Sequence, residues 1–261
     1  MRSSEWLALS YAAYLMAAAW LRPLPAMRRL STTAGTAAMG AATLAAVHWA
    51  PAFVRDWLPF LNVGAAYYLS ARLFVQPSEA LESWLIGWDR RILGDPPARF
   101  AAWPRAAIAF LEISYMLCFA LLPAGFALLV STGHAAEADR YWTLVEGAEF
   151  GAFAPLAVFQ TRPPWILERT SFDRDGTVRR AGGWVVRNLS SQANTFPSGH
   201  VAGSLAVAFG VMGVFPGAGL VFLLFAVSIS LACIVGRYHY VVDVFAGVIL
   251  AIAVWVVVLV K

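Results

Sequence analysis

Phe196-Pro197-Ser198-Gly199-His200 and Gly236-Arg237-Tyr238-His239-Tyr240-Val241-Val242-Asp243 are two short polar islands, each at the mouth of a long apolar segment. Each holds one of the chain's four histidines. Ser198-Gly199-His200 opens a helix expected from about residue 201 to 215. A helix start offers free N–H groups and the positive end of the dipole, which suits an anion. Gly199 removes side-chain bulk where a ligand could approach the backbone. His239 and Asp243 stand four apart, a spacing that puts them on one face of a helix. A carboxylate there can accept the proton on one ring nitrogen and fix which nitrogen stays basic. With Arg162 and Arg237, this is a set of groups suited to phosphoryl transfer without a metal.

The composition around these islands is that of a membrane protein. The chain is 60% hydrophobic and 13% charged, against roughly 25% charged for a soluble domain, and its mean hydropathy is +0.67. The pI near 9.3 comes from arginines spread over short loops, with no separate basic domain, which excludes nucleic acid as the partner. Cys118 and Cys233 lie in apolar spans without ligand-like spacing and read as inert core thiols.

Eight apolar spans can be drawn, each near the ~20 residues that a bilayer core requires. They fall at about 5–21, 32–50, 57–75, 105–131, 142–160, 199–215, 217–235 and 241–260. The expected fold class is therefore all-α, a polytopic membrane helix bundle. Two N-terminal transmembrane helices over 1–56 precede a six-helix catalytic core over 57–261, the whole forming one membrane domain. In residues 77–103, apolar side chains recur at three and four between Glu79, Glu82, Asp89, Arg90 and Arg91, which predicts an amphipathic helix in the interface. It is read as a membrane-surface strut, with a ramp by which lipid reaches the site as the second reading.

Glu112, about two turns into the fourth span, requires a partner. It is either a structural ion pair with an arginine or support for phosphate-binding arginines. Glu146 and Glu149 are expected at the membrane face opposite the islands, with no catalytic role. Loop 132–141 reads as exposed. In the polar segment 161–196, Asp173-Arg174-Asp175-Gly176 signals a turn, and Val178 to Val186, around Gly182-Gly183, a short hairpin or irregular cap. Arg169, Arg174, Arg179, Arg180 and Arg187 form a solvated set facing lipid headgroups. Arg187 is the exception, being near Asn194 and the second island.

The islands resemble the second and third signature motifs of the type-2 phosphatidic acid phosphatase superfamily, Pro-Ser-Gly-His and an arginine followed by His-x-x-x-Asp. Thr161-Arg162-Pro163-Pro164-Trp165 is similar to the end of the first, Lys-x6-Arg-Pro. The resemblance covers roughly residues 60–260. Together with Trp88-Asp89-Arg90-Arg91-Ile92-Leu93-Gly94-Asp95-Pro96, the Thr-Arg-Pro-Pro-Trp and His-Tyr-x-x-Asp forms look most like the inositol phosphorylceramide synthase branch and its bacterial relatives. Two positions depart from the pattern. The family lysine falls at Pro155, and the chain's single lysine is Lys261. The third-motif arginine falls at Cys233, while Arg237 stands two before the histidine and can join it only if the segment is a turn.

The resemblance implies a metal-independent lipid phosphate phosphatase or phosphotransferase. His239 would attack phosphorus to form a phosphohistidine, Asp243 would orient it, and His200 would protonate the leaving oxygen and then deprotonate the acceptor. Arg162, Arg237, Arg187 and the amides of Ser198 and Gly199 would hold the phosphoryl oxygens. No cofactor or metal is implied; the partners are a membrane lipid phosphate and the bilayer. Water as acceptor makes a phosphatase, an alcohol makes a transferase. The alternative is a catalytically silent lipid-binding or transport protein on the same scaffold, to which the missing lysine points. A soluble vanadium-binding peroxidase with such motifs is disfavoured by the apolar spans. All three motifs fall at one membrane face. Most of the arginines lie there too, which by the positive-inside rule makes that face cytoplasmic. The resemblance implies the exoplasmic face of a bacterial cell membrane, and this is the placement expected.

Overall fold

The computed structural model describes residues 1–168 and 177–260. Its helices are α1 (Ser3–Leu21), α2 (Ala26–Trp49), α3 (Ala52–Ala71), α4 (Glu79–Leu93), α5 (Pro96–Ala101) and α6 (Arg105–Ser131). They continue with α7 (Ala138–Phe153), the single turn α8 (Pro164–Leu167), α9 (Thr177–Leu189), α10 (Gly199–Met212), α11 (Pro216–Val235) and α12 (Val241–Val260). Among the described residues the extended pairing is one bridge, Thr161 to Asn194. The expected turn at 173–176, with Arg169 and Arg174, lies outside the described residues.

The bundle is built around α10. Its sequence is mostly glycine, alanine and valine, and small side chains let α6, α7, α11 and α12 close on it from all sides. Val201, Ala202, Val207, Ala208 and Val211 are fully buried. On the far flank, α1 and α3 pack against α7, and α2 packs on both.

Each of the eight expected spans folds as a helix. Four, α2, α6, α11 and α12, are long and apolar enough to cross a membrane. Their outer faces carry exposed Phe110, Phe119, Leu224, Phe245 and Ile249, the apolar exterior that a lipid solvent permits. The other four fall short for visible reasons. α10 has 14 residues, about 21 Å at 1.5 Å per residue. α7 stops at Phe153, where a turn containing Pro155 follows. α1 and α3 carry Glu5, Arg55 and Asp56 near their starts.

Those charges close the end of the bundle. Arg2 pairs with Asp56 at 2.6 Å and Arg55 with Glu5 at 2.6 Å. Asp139 accepts the amides of Ser3 and Ser4 at 3.0 and 2.9 Å, tying α7 to the start of α1. Loop 132–141 is accordingly less open than expected: its second half is the first turn of α7, with Ala138 buried.

The expected hairpin over 178–186 is instead the helix α9, packed on α6. Gly182 acts as a packing residue. A Cβ at Gly182 would collide with the Glu112 carboxylate and meet the Tyr238 hydroxyl at 3.3 Å. Arg179 is no part of a solvated set: it is buried and ion-paired with Glu112. Glu112 thus has the arginine partner that one of its two readings required.

Candidate active site

The site forms where α10 and α12 begin. The Ser198 amide donates to the Asp243 carbonyl at 3.0 Å, stitching the two starts together. Between α11 and α12 the chain turns. Arg237 takes a left-handed φ of 62°, and the amides of Tyr238 and His239 both donate to the Cys233 carbonyl, at 2.9 and 3.0 Å. Gly236 is needed there, since a Cβ would collide with the Tyr238 ring. The turn presents His239 to His200.

His239 Nδ1 stands 3.3 Å from Asp243 Oδ2, and His239 Nε2 stands 3.3 Å from His200 Nδ1. A carboxylate in its ionised form only accepts, so this contact suits a proton on Nδ1, the tautomer that turns the Nε2 lone pair toward His200. Asp243 is fully buried, and its Oδ2 also accepts from the Asn194 side chain at 2.9 Å and the Tyr240 amide at 3.0 Å. These donors fix the carboxylate, and through it the ring. His200 is held by stacking: its ring lies 4.9 Å from Tyr115, and Tyr115 lies 3.9 Å from Tyr238. The Tyr238 hydroxyl donates to Glu112, which closes this column on Arg179.

The first-motif segment reaches the same place through backbone contacts. Asn194 and Thr161 pair across their bridge, the Trp165 amide donates to the Arg237 carbonyl at 3.0 Å, and Tyr240 donates to the Arg162 carbonyl at 2.9 Å. A small pocket of about 20 Å³ with mixed polar and apolar walls lies between Asn194, Thr195, His200 and His239 on one side and Tyr115, Trp165 and Val186 on the other. Beside it is an apolar cavity of about 380 Å³ between α3, α6 and α7 that also reaches His200.

The three motifs therefore converge, and the two histidines and Asp243 stand in line. The phosphate-binding set is arranged differently from the expectation. Arg237 does lie in a turn, but it points away from His239: it is 2% exposed and pairs with Glu168 at 2.7 Å and Asp89 at 2.6 Å. Asp89 also accepts the Val241 amide at 2.8 Å, capping α12. Arg162 donates its amide, Nε and Nη2 to Glu82. Burial alone raises the Glu82 carboxyl, but these hydrogen bonds outweigh it and hold the group below the usual carboxylate range. The Glu82 hydrogen bond in turn raises the Arg162 guanidinium. Arg187 is on the exposed side of α9, while its neighbour Val186 lines the small pocket. The Ser198 amide is spent on Asp243, and the Gly199 amide faces Thr195 Oγ1 at 3.4 Å.

α4 is thus more than a surface strut. Its inward face carries Glu82 and Asp89, the partners of two motif arginines, while Trp84 and Ile92 face outward. Sequence reasoning missed these roles, and also those of Asn194 and Tyr115. Glu149 was expected far from the motifs; it lies against Gly199 and Gly203 and lines the apolar cavity. Among the described residues no group of three His, Cys, Asp or Glu side chains is placed to hold a metal ion.

The structure thus places a buried His–His–Asp line inside an apolar helical bundle, an arrangement suited to acid–base and nucleophilic chemistry. The chain belongs to the PAP2 superfamily, whose family model matches residues 83–257, more than half of its length. Membership in that superfamily points to phosphatase-type function. No curated protein and no solved structure matches the chain.

Proposed function

We propose that the chain is an integral-membrane lipid phosphatase or phosphotransferase that works through a phosphohistidine on His239, in or near the inositol phosphorylceramide synthase branch. The observation that carries this is the line His200–His239–Asp243. His239 Nε2 forms a bond to phosphorus as the bond from phosphorus to the lipid oxygen breaks, and His200 gives that oxygen its proton. Water or an alcohol then loses a proton to His200 and takes the phosphoryl group, and the N–P bond breaks. Asp243, held by Asn194, stabilises the imidazolium. Arg162, with a side chain 38% exposed, contacts the phosphoryl group, while Arg237 frames the turn. In this reading α1, α3, α7 and α10 complete eight crossings, and the site faces the exoplasmic side of a bacterial membrane.

The test uses purified full-length protein in detergent with phosphatidic acid, a prenyl pyrophosphate and phosphatidylinositol, following phosphate release and headgroup transfer in the presence of EDTA. Turnover that survives chelation and is inhibited by vanadate is expected; loss on chelation, restored by metal, would overturn the mechanism. Orientation is read with Thr177→Cys and Ala136→Cys, both at exposed positions, using a membrane-impermeant maleimide on intact cells. Labelling at 136 but not at 177 would place the site in the cytoplasm. Cys118 and Cys233 are buried and add little background.

A second reading is a catalytically silent lipid-binding protein. It draws on the pairing of Arg162, Arg179 and Arg237 with carboxylates, which leaves less uncompensated positive charge for a phosphate. It predicts bound lipid phosphate without turnover.

A further inference from the structure

The large cavity is lined mostly by apolar side chains, with Tyr67, Tyr68, Thr195 and His200 as its neutral polar groups and a single carboxylate. Glu149, on α7, is 7% exposed and contributes a carboxylate to its wall. The bundle makes room for this group: a Cβ at Gly199 would stand 3.0 Å from Glu149 Oε2, and one at Gly203 would overlap the carboxylate outright. Glu112 has Arg179 and Tyr238 as partners. Glu149 forms no hydrogen bond or ion pair with any described residue. A buried, unpaired carboxyl is strongly unfavourable, and an ionisable side chain inside a membrane bundle without a structural partner marks a functional site.

The position says what it would meet. Glu149 touches the residue next to His200, and both side chains line the same cavity. The cavity also has a lipid-facing side, where its lining residues Leu61, Tyr68 and Phe119 are exposed. A hydrocarbon chain lying there, with its reacting oxygen at His200, brings the atoms nearest that oxygen past the carboxyl.

We propose that Glu149 anchors a subsite for a hydrogen-bond donor, a hydroxyl or amide N–H, carried by the lipid alcohol a few bonds from its reacting oxygen. The naming of that oxygen rests on the phosphoryl-transfer reading above. A site built to hydrogen-bond a substrate group discriminates against analogues that lack it, because its own polar atom is then left unpaired. Glu149 is therefore a specificity determinant for lipids with a second polar group beside the phosphorylated carbon.

The experiment compares dodecyl phosphate with dodecane-1,2-diol 1-phosphate on the full-length protein in detergent. Wild type should prefer the diol phosphate by about tenfold or more in kcat/KM. The ratio should fall to near one in Glu149→Met and persist in part in Glu149→Gln, which keeps an acceptor oxygen. A merely structural role would lower both rates and leave the ratio intact. Binding is read separately: dodecane-1,2-diol should raise the thermal midpoint more than dodecanol in wild type, and equally in Glu149→Met. No turnover with either phosphate, together with diol-selective stabilisation that Glu149→Met removes, would reject the enzyme reading and keep the subsite. Turnover without preference in wild type, with equal stabilisation by both alcohols, would reject the subsite and keep the enzyme. Should Glu149→Met fail to fold, the wild-type preference and its change in Glu149→Gln decide.

Discussion

The two ends of the bundle treat charge differently. At one, Arg2, Glu5, Arg55, Asp56 and Asp139 close on each other and on the start of α1. These contacts join helix ends. At the other, Glu82, Asp89, Glu168, Arg162 and Arg237 pair as tightly, but around a pair of histidines. Asp243 Oδ1, Asn194 Oδ1 and Arg237 Nη1 are buried there without a hydrogen-bond partner among the described residues. Pairing at the first end is the purpose of the charges. At the second it is a frame, and the frame holds groups with bonding capacity in reserve, as the proposed active site requires.

The sharpest way to break this comparison is His239→Ala. The rate should fall by about ten-thousand-fold or more, with His200→Ala losing about a hundred- to ten-thousand-fold, measured as phosphate release by protein that still elutes as a folded species. Wild-type turnover in His239→Ala would make the second end as structural as the first. Next in size is Arg237→Ala. It leaves buried Asp89 and partly buried Glu168 without their cation, a loss of about 3–5 kcal/mol read from thermal unfolding. An unchanged midpoint with a raised KM would move Arg237 from the frame to the substrate. Asn194→Ala removes one donor from Asp243. A hydrogen bond to a charged group contributes about 1.5–3 kcal/mol, so kcat should drop about ten- to a hundredfold, and a drop below twofold would show that Asp243 needs no such support. The smallest effect is expected at the first end. Arg2→Ala breaks a partly exposed pair that contributes about 1 kcal/mol or less, and its turnover should match wild type.

The histidine line was legible because it is local. His239 and Asp243 are four residues apart, so spacing paired them, although His239 stands in the turn before α12 rather than on the helix with Asp243. The meeting of three motifs followed from which span ends carried them. The partners of the arginines were not legible. Glu82 and Arg162 are 80 residues apart and Asp89 and Arg237 148, and no periodicity links such positions. α9 was misread because Gly182-Gly183 resembles a turn signal, whereas Gly182 leaves room for Glu112 and Tyr238. Glu149 was misplaced by a boundary. With a span drawn over 142–160 it falls near the far end, but α7 runs from Ala138 to Phe153 and puts it in the turn before the motif face.

The contact between α4 and the start of α12 has a consequence for how the molecule is made. Asp89 is synthesised early, yet the arginine and the amide it holds lie 148 and 152 residues later. Contacts of such separation form late, after the intervening chain is in place. α4 therefore waits through most of translation for its cation, and His239 reaches His200 only with the same final segment. On the proposed mechanism competence arrives in a single step at the end of biogenesis, since a chain that stops short of α12 lacks Asp243 however well its earlier helices have folded.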